Sequence, residues 1–183
     1  MRFVMMVAAL GLGSLGLASA GAQATEVQCK GNEVNQKAVE EMTEILFNQR
    51  DADQAPRFYA PTVTSHNTDG ANSAGITQVP IAQMQAMWRG FKVSLPDRKL
   101  VNDLILCSGD TVTVRTTVTG SMTGPMNGIP PTGKSFTMSA IDIYRFKDGK
   151  VVERWGNADG MGMLMQLGIL DQVIAMQKKA PAK

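Results

Sequence analysis

The stretch "KSFTMSAIDIYRFKDGKVVERWGNAD", residues 134–159, decides the fold. Apolar and polar residues alternate through 134–146 and again through 150–159, which is the period of a β-strand. Between the two halves, "KDG" has the composition of a tight turn. The stretch therefore predicts an antiparallel hairpin whose second strand ends at Asp159.

Two further strands precede this hairpin. The segments 99–107 and 111–120 also alternate and are joined by the turn "SGD", while 62–67 is a shorter extended segment and 68–75 is a loop by composition. Apolar residues at helical spacing predict the helices, over 32–50, 51–60, 80–91, 160–168 and 169–179. This order indicates an α+β fold, in which N-terminal helices pack across a curved antiparallel sheet to form a cone with an interior pocket.

Residues 1–24, "MRFVMMVAALGLGSLGLASAGAQA", have the anatomy of a secretory signal. Cleavage fits after Ala20 or after Ala24, and we favour Ala24 because polar sequence begins next. A membrane anchor is the alternative, although the apolar run is short for a span. We expect a secreted or periplasmic protein with no membrane attachment after cleavage, one domain over 25–178 and a frayed tail over 179–183.

The composition disfavours several functions. Hydrophobic residues make up 44% of the chain, enough for a core, and the basic residues are scattered at a net charge of +2, so nothing indicates nucleic-acid binding. With one histidine and no Cys-x-x-Cys motif, we expect no zinc site. Export favours a disulfide between Cys29 and Cys107, worth roughly 4 kcal/mol in the chain-entropy treatment. Two unrelated buried thiols are the alternative.

Three segments carry a family resemblance: "YAPTVTSHN" (59–67), "LILCSGDTVTVRTTVTG" (104–120) and "GIPPTGKSFTMSAIDIYRFKDGKVVERWGNADGMGMLMQLG" (128–168). Together they resemble the SnoaL-like polyketide cyclase family, whose relatives are often labelled ester cyclases. The resemblance covers about 33–170. It implies the cone-shaped nuclear-transport-factor-2-like fold. It also implies an intramolecular aldol ring closure in which a pocket aspartate moves the proton, with no metal or organic cofactor.

Some family positions are kept and others are changed. Asp159 resembles the acid/base position, and His66 in "SHN" matches a family histidine. Met122, in "GSMTG", stands where many relatives have the histidine of "GTHTG". Arg154, in "ERW", replaces the histidine of "EHW". The departures question the aldol reaction and leave the fold untouched.

Alternation along the last strand places Glu153, Trp155, Asn157 and Asp159 on one face. We predict that this face is concave, so that Asp159 opens into an apolar pocket that raises its pKa. Asp159 could instead cap the following helix. His66 could exchange a proton with a ligand or could be satisfied by backbone at a strand end.

The role of Asp142 depends on the hairpin turn. With a two-residue "DG" loop, Asp142 faces Trp155 and joins Asp159 on one face. With a three-residue "KDG" loop and a bulge at Gly149, Asp142 faces Arg154 and forms an ion pair. We favour the second register, because Lys-Asp-Gly suits a type I turn followed by a left-handed glycine.

The expected ligand is a small apolar carbonyl compound. The residues expected to contact it are Trp155, Asn157, Tyr144, Trp88 and Met122. An enzyme would use Asp159 as the acid/base, with His66 and Asp142 assisting, for an aldol-type cyclisation or an isomerisation. The alternatives are a binding protein without turnover and a homodimeric interaction module that uses the exposed sheet face.

Overall fold

The computed structural model of the chain describes residues 25–67 and 75–172. The predicted signal peptide, most of the predicted loop 68–75, most of the predicted helix 169–179 and the predicted tail 179–183 lie outside the described residues. Within them, none of the helices has the length and hydrophobicity needed to cross a bilayer.

Seven strands form one open sheet in the order β1-β4-β5-β6-β7-β2-β3. Their bounds are β1 (Glu26–Gln28), β2 (Tyr59–Asn67), β3 (Thr77–Pro80), β4 (Lys99–Ser108), β5 (Thr111–Ser121), β6 (Ser135–Lys147) and β7 (Lys150–Ala158). Strands β4 to β7 form an antiparallel meander, whereas β1 pairs with β4, and β2 with β7, in parallel. The α+β prediction is confirmed. The short strands β1 and β3 were not predicted.

The helices cover one face of this sheet, which we call the inner face. Their bounds are α1 (Glu33–Met42), a π-helix (Thr43–Asn48), a 3-10 helix (Ala52–Arg57), α2 (Ile81–Ser94) and α3 (Gly160–Gln166). The predicted helix 32–50 is therefore split, because α1 widens into the π-helix at Thr43. The predicted helix 51–60 is shorter, and its last residues, Tyr59 and Ala60, already belong to β2.

Two apolar clusters form the core on the inner face. The first joins α1, the π-helix and α2 to the sheet, and its most buried side chains include Val39, Met42, Leu46, Val63, Ile105, Val112 and Val151. The second cluster includes Leu95, Val118, Met122, Phe136 and Leu167. Along β5, Val112 and Val114 belong to the first cluster and Val118 to the second, with Thr116 between them.

The hairpin register differs from both predicted registers. The loop is the two-residue pair Asp148-Gly149, both in the left-handed region at φ +50° and +72°, so the three-residue "KDG" loop is wrong. A bulge then shifts the pairing between Arg145 and Phe146, and Asp142 pairs with Gly156 instead of Arg154 or Trp155. The sequence does not reveal this bulge, because an extra residue inside a strand has no composition of its own.

A disulfide joins Cys29, just after β1, to Cys107 in β4, with a Cα–Cα distance of 4.7 Å. The bond closes a loop of 78 residues in sequence separation. It therefore fixes the start of the domain to the sheet before α1 begins. Restricting so long a loop in the unfolded chain stabilises the fold by roughly 4 kcal/mol in the chain-entropy treatment.

We expect titration of the unfolded, unreduced protein to find no free thiol. Cys29→Ser is the matched control and should show one free thiol, from Cys107. The double variant Cys29→Ser/Cys107→Ser should lose roughly 4 kcal/mol of unfolding free energy, since its unfolded chain is no longer constrained. Two reactive thiols per unreduced chain would contradict the pairing.

Candidate functional site

A band of polar side chains crosses the inner face between the two apolar clusters. Asn102 of β4 pairs with Thr116 of β5, and Asp142 of β6 lies two residues beyond Ala140, the partner of Thr116. We call this band the polar seam. Its members are Thr43, Ser65, Asn102, Thr116, Asp142 and Arg154. A polar group on a covered face needs a hydrogen-bond partner, so the seam is the part of the core that makes polar contacts.

An ion pair occupies the β6–β7 end of the seam. Arg154 Nε donates to Asp142 Oδ1 at 2.7 Å, and Nη2 lies 2.5 Å from the same oxygen. The exposed fraction of the side chain is 16% for Asp142 and 18% for Arg154. The pair is thus mostly buried on the helix-covered face, yet solvent still reaches it. A ligand entering the seam could exchange hydrogen bonds with both charges.

Small residues make room for this pair. A Cβ atom on Gly156 would clash with the Arg154 guanidinium and would lie 2.8 Å from Asp142 Oδ1. Ala140 and Ala158, which pair across β6 and β7, are half-buried although they also face inward. The side chains on the sheet are therefore short along this part of the seam, between the two apolar clusters.

Two tyrosines lie beside the ion pair. The rings of Tyr59 and Tyr144 meet edge to face with centroids 6.4 Å apart, and Tyr59 also packs on Trp88 at 5.6 Å. Burial raises the pKa of both hydroxyls. The Asp142 carboxylate raises the pKa of Tyr144 further, whereas at Tyr59 the Arg154 guanidinium lowers the pKa by more than Asp142 raises it. Both phenols therefore stay protonated and remain hydrogen-bond donors at neutral pH.

A second polar cluster lies on the opposite, outer face. His66 Nε2 and Arg145 Nη1 both contact the Glu153 carboxylate at 2.7 Å. The His66 ring stacks on Trp155 with centroids 4.7 Å apart, and the Arg145 guanidinium lies 5.2 Å from the same ring. Arg145 Nε is 3.6 Å from Asp110 Oδ2, which is ion-pair distance but too long for a hydrogen bond.

The sequence placed Asp159 in the pocket, but the structure places it at the helix. Asp159 is exposed, and its Oδ1 accepts a hydrogen bond from the Gly162 N–H at 2.9 Å as the N-cap of α3. Glu153, Trp155 and Asn157 do share one face, as alternation predicts, but they pair opposite Arg145, Ile143 and Ile141. That is the outer face, so the predicted concave wall is wrong.

The other predicted ligand contacts are deeply buried. Tyr144 and Trp88 belong to the first apolar cluster, and Met122 is fully buried in the second. Of the predicted acid–base residues, only Asp142 faces the seam. The structure therefore brings together Asp142, Tyr144 and Arg154, and does not bring Asp159 or His66 to them.

Two open grooves lie on the surface of the described part of the chain. One, of about 600 Å³, is lined by Tyr59, Pro56, Pro61, Ile81, Val152 and the two lysines of the β6–β7 turn. Of these, Lys150 Nζ already donates to the carbonyl oxygens of Pro56 and Arg57. The other, of about 310 Å³, lies between α1 and the 3-10 helix. Neither groove is lined by Asp142 or Arg154.

The family match covers the whole seam. Residues 37–167 match the SnoaL-like polyketide cyclase family. The chain belongs to the SnoaL-like polyketide cyclase family. Since the match runs from α1 to the residue after α3, every strand that contributes to the seam lies inside the SnoaL-like domain. No curated protein matches the chain.

Solved structures agree with this family assignment. IdmH from Streptomyces antibioticus is 27% identical, with a TM-score of 0.63, over 73% of this chain and 98% of that chain. TsrD from Streptomyces laurentii is 26% identical, with a TM-score of 0.63, over 74% and 96%. A SnoaL-like polyketide cyclase from Agrobacterium tumefaciens is 15% identical, with a TM-score of 0.59, over 73% and 98%, and shows the shared fold alone.

The sequence pattern also indicates two other seam residues, Thr116 and Asn102. In β5 the inward positions read Val112, Val114, Thr116 and Val118, so a hydroxyl interrupts an apolar row. Asn102 interrupts the inward row of β4 in the same way. Polar residues at buried strand positions are unusual, and they mark a site or a paired polar network.

The two tyrosines provide a pH test of the buried site, because the chain contains no others. Their pKa values are raised, so the folded protein should show no tyrosinate absorbance at 295 nm when the pH passes 10. The unfolded chain releases these protons near pH 10. Stability is thus retained below about pH 10 and falls above it.

Tyr59→Phe and Tyr144→Phe should each make this alkaline loss of unfolding free energy shallower. Denaturant titrations between pH 8 and pH 11 measure the slope. A native protein that forms tyrosinate near pH 10 while still folded would show that the phenols are open to solvent.

Proposed function

We propose that this exported SnoaL-like protein binds a small, largely apolar carbonyl compound in the polar seam. The carrying observation is the Asp142–Arg154 pair, which is covered by helices and still reached by solvent. Its guanidinium offers donors to a ligand carbonyl, its carboxylate accepts from a ligand hydroxyl, and the flanking clusters offer apolar walls.

Export rests on two observations of different kinds. Residues 1–24 have the pattern of a signal peptide. The Cys29–Cys107 disulfide fits an oxidising compartment, such as the periplasm or the extracellular medium. The ligand would then be met outside the cytoplasm.

Binding without turnover is the form of this proposal that the geometry favours. A carboxylate paired with arginine must give up that pairing to take a proton, which makes Asp142 a weak base. Neither family histidine is present. Met122, at the first position, is buried in the core, and Arg154, at the second, forms the ion pair. Asp159 and His66 are engaged elsewhere.

Cofactor-independent acid–base catalysis is the second candidate, and the fold of the family favours it. Asp142 is then the proton carrier, since it is the predicted acid–base residue that faces the seam. The neighbouring Tyr144 hydroxyl, kept protonated by burial, would stabilise charge that develops on a ligand oxygen.

Alizarin, a dihydroxyanthraquinone, is a suitable probe because it carries carbonyl and hydroxyl groups on a flat apolar frame. The test variant is Asp142→Asn/Arg154→Gln, which removes both charges together and leaves neither partner unpaired. We expect isothermal titration calorimetry to give a dissociation constant at least tenfold weaker than for the wild type.

The matched control is Asp103→Asn/Arg115→Gln, which removes an ion pair from the outer face of the same sheet. It should leave the dissociation constant unchanged. Equal binding by the two double variants would overturn the proposed site. If the wild type converts the probe, loss of turnover in Asp142→Asn but not in Asp159→Asn would favour the catalytic candidate.

A further inference from the structure

Arg98 is held in place in the turn between α2 and β4. Its N–H donates to the Leu95 carbonyl oxygen at 3.0 Å, which closes this turn. The preceding residue, Asp97, accepts a hydrogen bond from the Ser121 N–H at 2.7 Å. Gly120 allows the close approach, since a Cβ atom there would lie 3.3 Å from Arg98 Cα. The backbone of Arg98 is therefore fixed against the end of β5.

The Arg98 guanidinium lies against two aromatic rings. It is 4.7 Å from the centroid of the Phe91 ring and 5.9 Å from that of the Phe47 ring. Burial lowers the pKa of Arg98 to about 10, and the positive charge of Arg50 is the smaller cause. The guanidinium stays protonated at neutral pH, so the fold holds a partly desolvated cation on an apolar surface.

A second cation, Arg50, is brought to the same corner of the domain. Asn48 Oδ1 accepts from the Leu100 N–H at 2.8 Å, and its Nδ2 donates to the Leu100 carbonyl oxygen at 3.1 Å. These two bonds join the end of the π-helix to the start of β4, so that Arg50 and Arg98 follow and precede one junction. Arg50 has a left-handed φ of +61°, which few residues other than glycine adopt. Such strained residues are concentrated at functional sites.

No acidic side chain neutralises this pair of arginines. Both are half-buried, and their guanidinium groups make no hydrogen bond or ion pair with any residue in 25–67 and 75–172. The acids next to them in sequence, Asp51 and Asp97, are exposed and accept from backbone N–H groups. The Ser121 N–H is the main cause that lowers the pKa of Asp97, and the charge of Arg50 is the smallest. Covered arginines without a partner are rare in folded proteins.

We propose that Arg50 and Arg98 form a binding site for a small tetrahedral oxyanion, a phosphate or a sulfate group, at the corner between the π-helix and β4. Guanidinium groups bind such oxygens through paired N–H bonds. Two arginines on separate segments match a doubly charged anion, whereas a carboxylate balances only one of them. Neither arginine belongs to the polar seam, so this site goes beyond the proposed function and does not depend on it.

Isothermal titration calorimetry with inorganic phosphate tests the site, in a chloride buffer at about pH 8, where phosphate is a dianion. The wild type should bind one phosphate ion per chain. Arg98→Gln removes the fixed guanidinium and should weaken the dissociation constant by about tenfold or more, because charged hydrogen bonds are lost. Arg50→Gly should weaken phosphate binding as well, without lowering the Tm of the phosphate-free protein, since glycine suits the left-handed backbone.

The matched control is Lys99→Gln, which removes the adjacent, exposed positive charge at the start of β4. It should leave the dissociation constant for phosphate unchanged. Titrations with sulfate, phenyl phosphate and acetate define the ligand. The anion that binds most tightly among phosphate, sulfate and phenyl phosphate identifies the source of the oxyanion, and acetate should bind at least about tenfold more weakly than that anion.

The outcomes separate a built site from general attraction of anions. If the wild type binds neither phosphate nor sulfate, or binds acetate equally well, the inference is overturned. Equal weakening in Lys99→Gln and Arg98→Gln would mean an adventitious ion only, drawn by positive charge, and would also overturn it. Thermal unfolding checks each variant, and if Arg98→Gln does not fold, Arg50→Gly decides the question. The alizarin titrations of the polar seam are independent of every one of these results.

Discussion

The ion pair between Asp142 and Arg154 sets the organisation of the inner face. Two charges beneath a layer of helices are costly to desolvate, and their mutual attraction offsets that cost only with good geometry and additional hydrogen bonds. The geometry here requires a glycine at 156, since any side chain there would displace the guanidinium. The pair lies beside Val114 and Tyr144 of the first cluster, and a row of polar and small residues separates that cluster from the second. This row consists of Asn102, Thr116, Ala140 and Ala158.

Because the core is divided, polar side chains lie in the interior while the two apolar clusters stay buried. The first cluster fixes α1, the π-helix and α2 against the sheet, and the second fixes the β5–β6 loop and the end of α3. Between them, the inward residues of four strands are polar or small. The disulfide adds a constraint at the β1–β4 edge, where the pairing of β4 with β5 also shifts between Asn102 and Leu104. The rigid parts of the domain thus surround the seam on both sides.

Two positions where the sequence resemblance implies a family histidine carry other residues in this chain. Where many relatives have the histidine of "GTHTG", this chain buries Met122, and where many have the histidine of "EHW", it places a charge-paired arginine. In the proposed function, this exchange disfavours proton transfer near neutral pH and favours recognition of a carbonyl by a fixed cation. The outer-face cluster of His66, Glu153, Arg145 and Trp155 satisfies the remaining histidine away from the seam.

The five longer strands, β2 and β4 to β7, and the fold class could be predicted from the sequence, because alternation is a direct consequence of strand geometry. The short strands β1 and β3 could not. The face could not be assigned from alternation, since Glu153-Trp155-Asn157 alternates equally well inward or outward. The site of Asp142 depended on a bulge after Arg145 that has no sequence signal. Asp159 fitted two patterns, the end of an alternating strand that faces a pocket and the N-cap of a helix. The structure places it as the N-cap. Thr116 and Asn102 were visible as polar residues in apolar rows, but their meeting with Thr43 required the tertiary structure.

The most direct test of the account is a crystal structure of the protein with alizarin bound. The account predicts electron density for alizarin along the inner face over Ala140, with a carbonyl oxygen within hydrogen-bond distance of the Arg154 guanidinium. Density in the surface groove beside Pro56 and Ile81, or stacked on Trp155 at the outer face, with the seam unchanged, would contradict it.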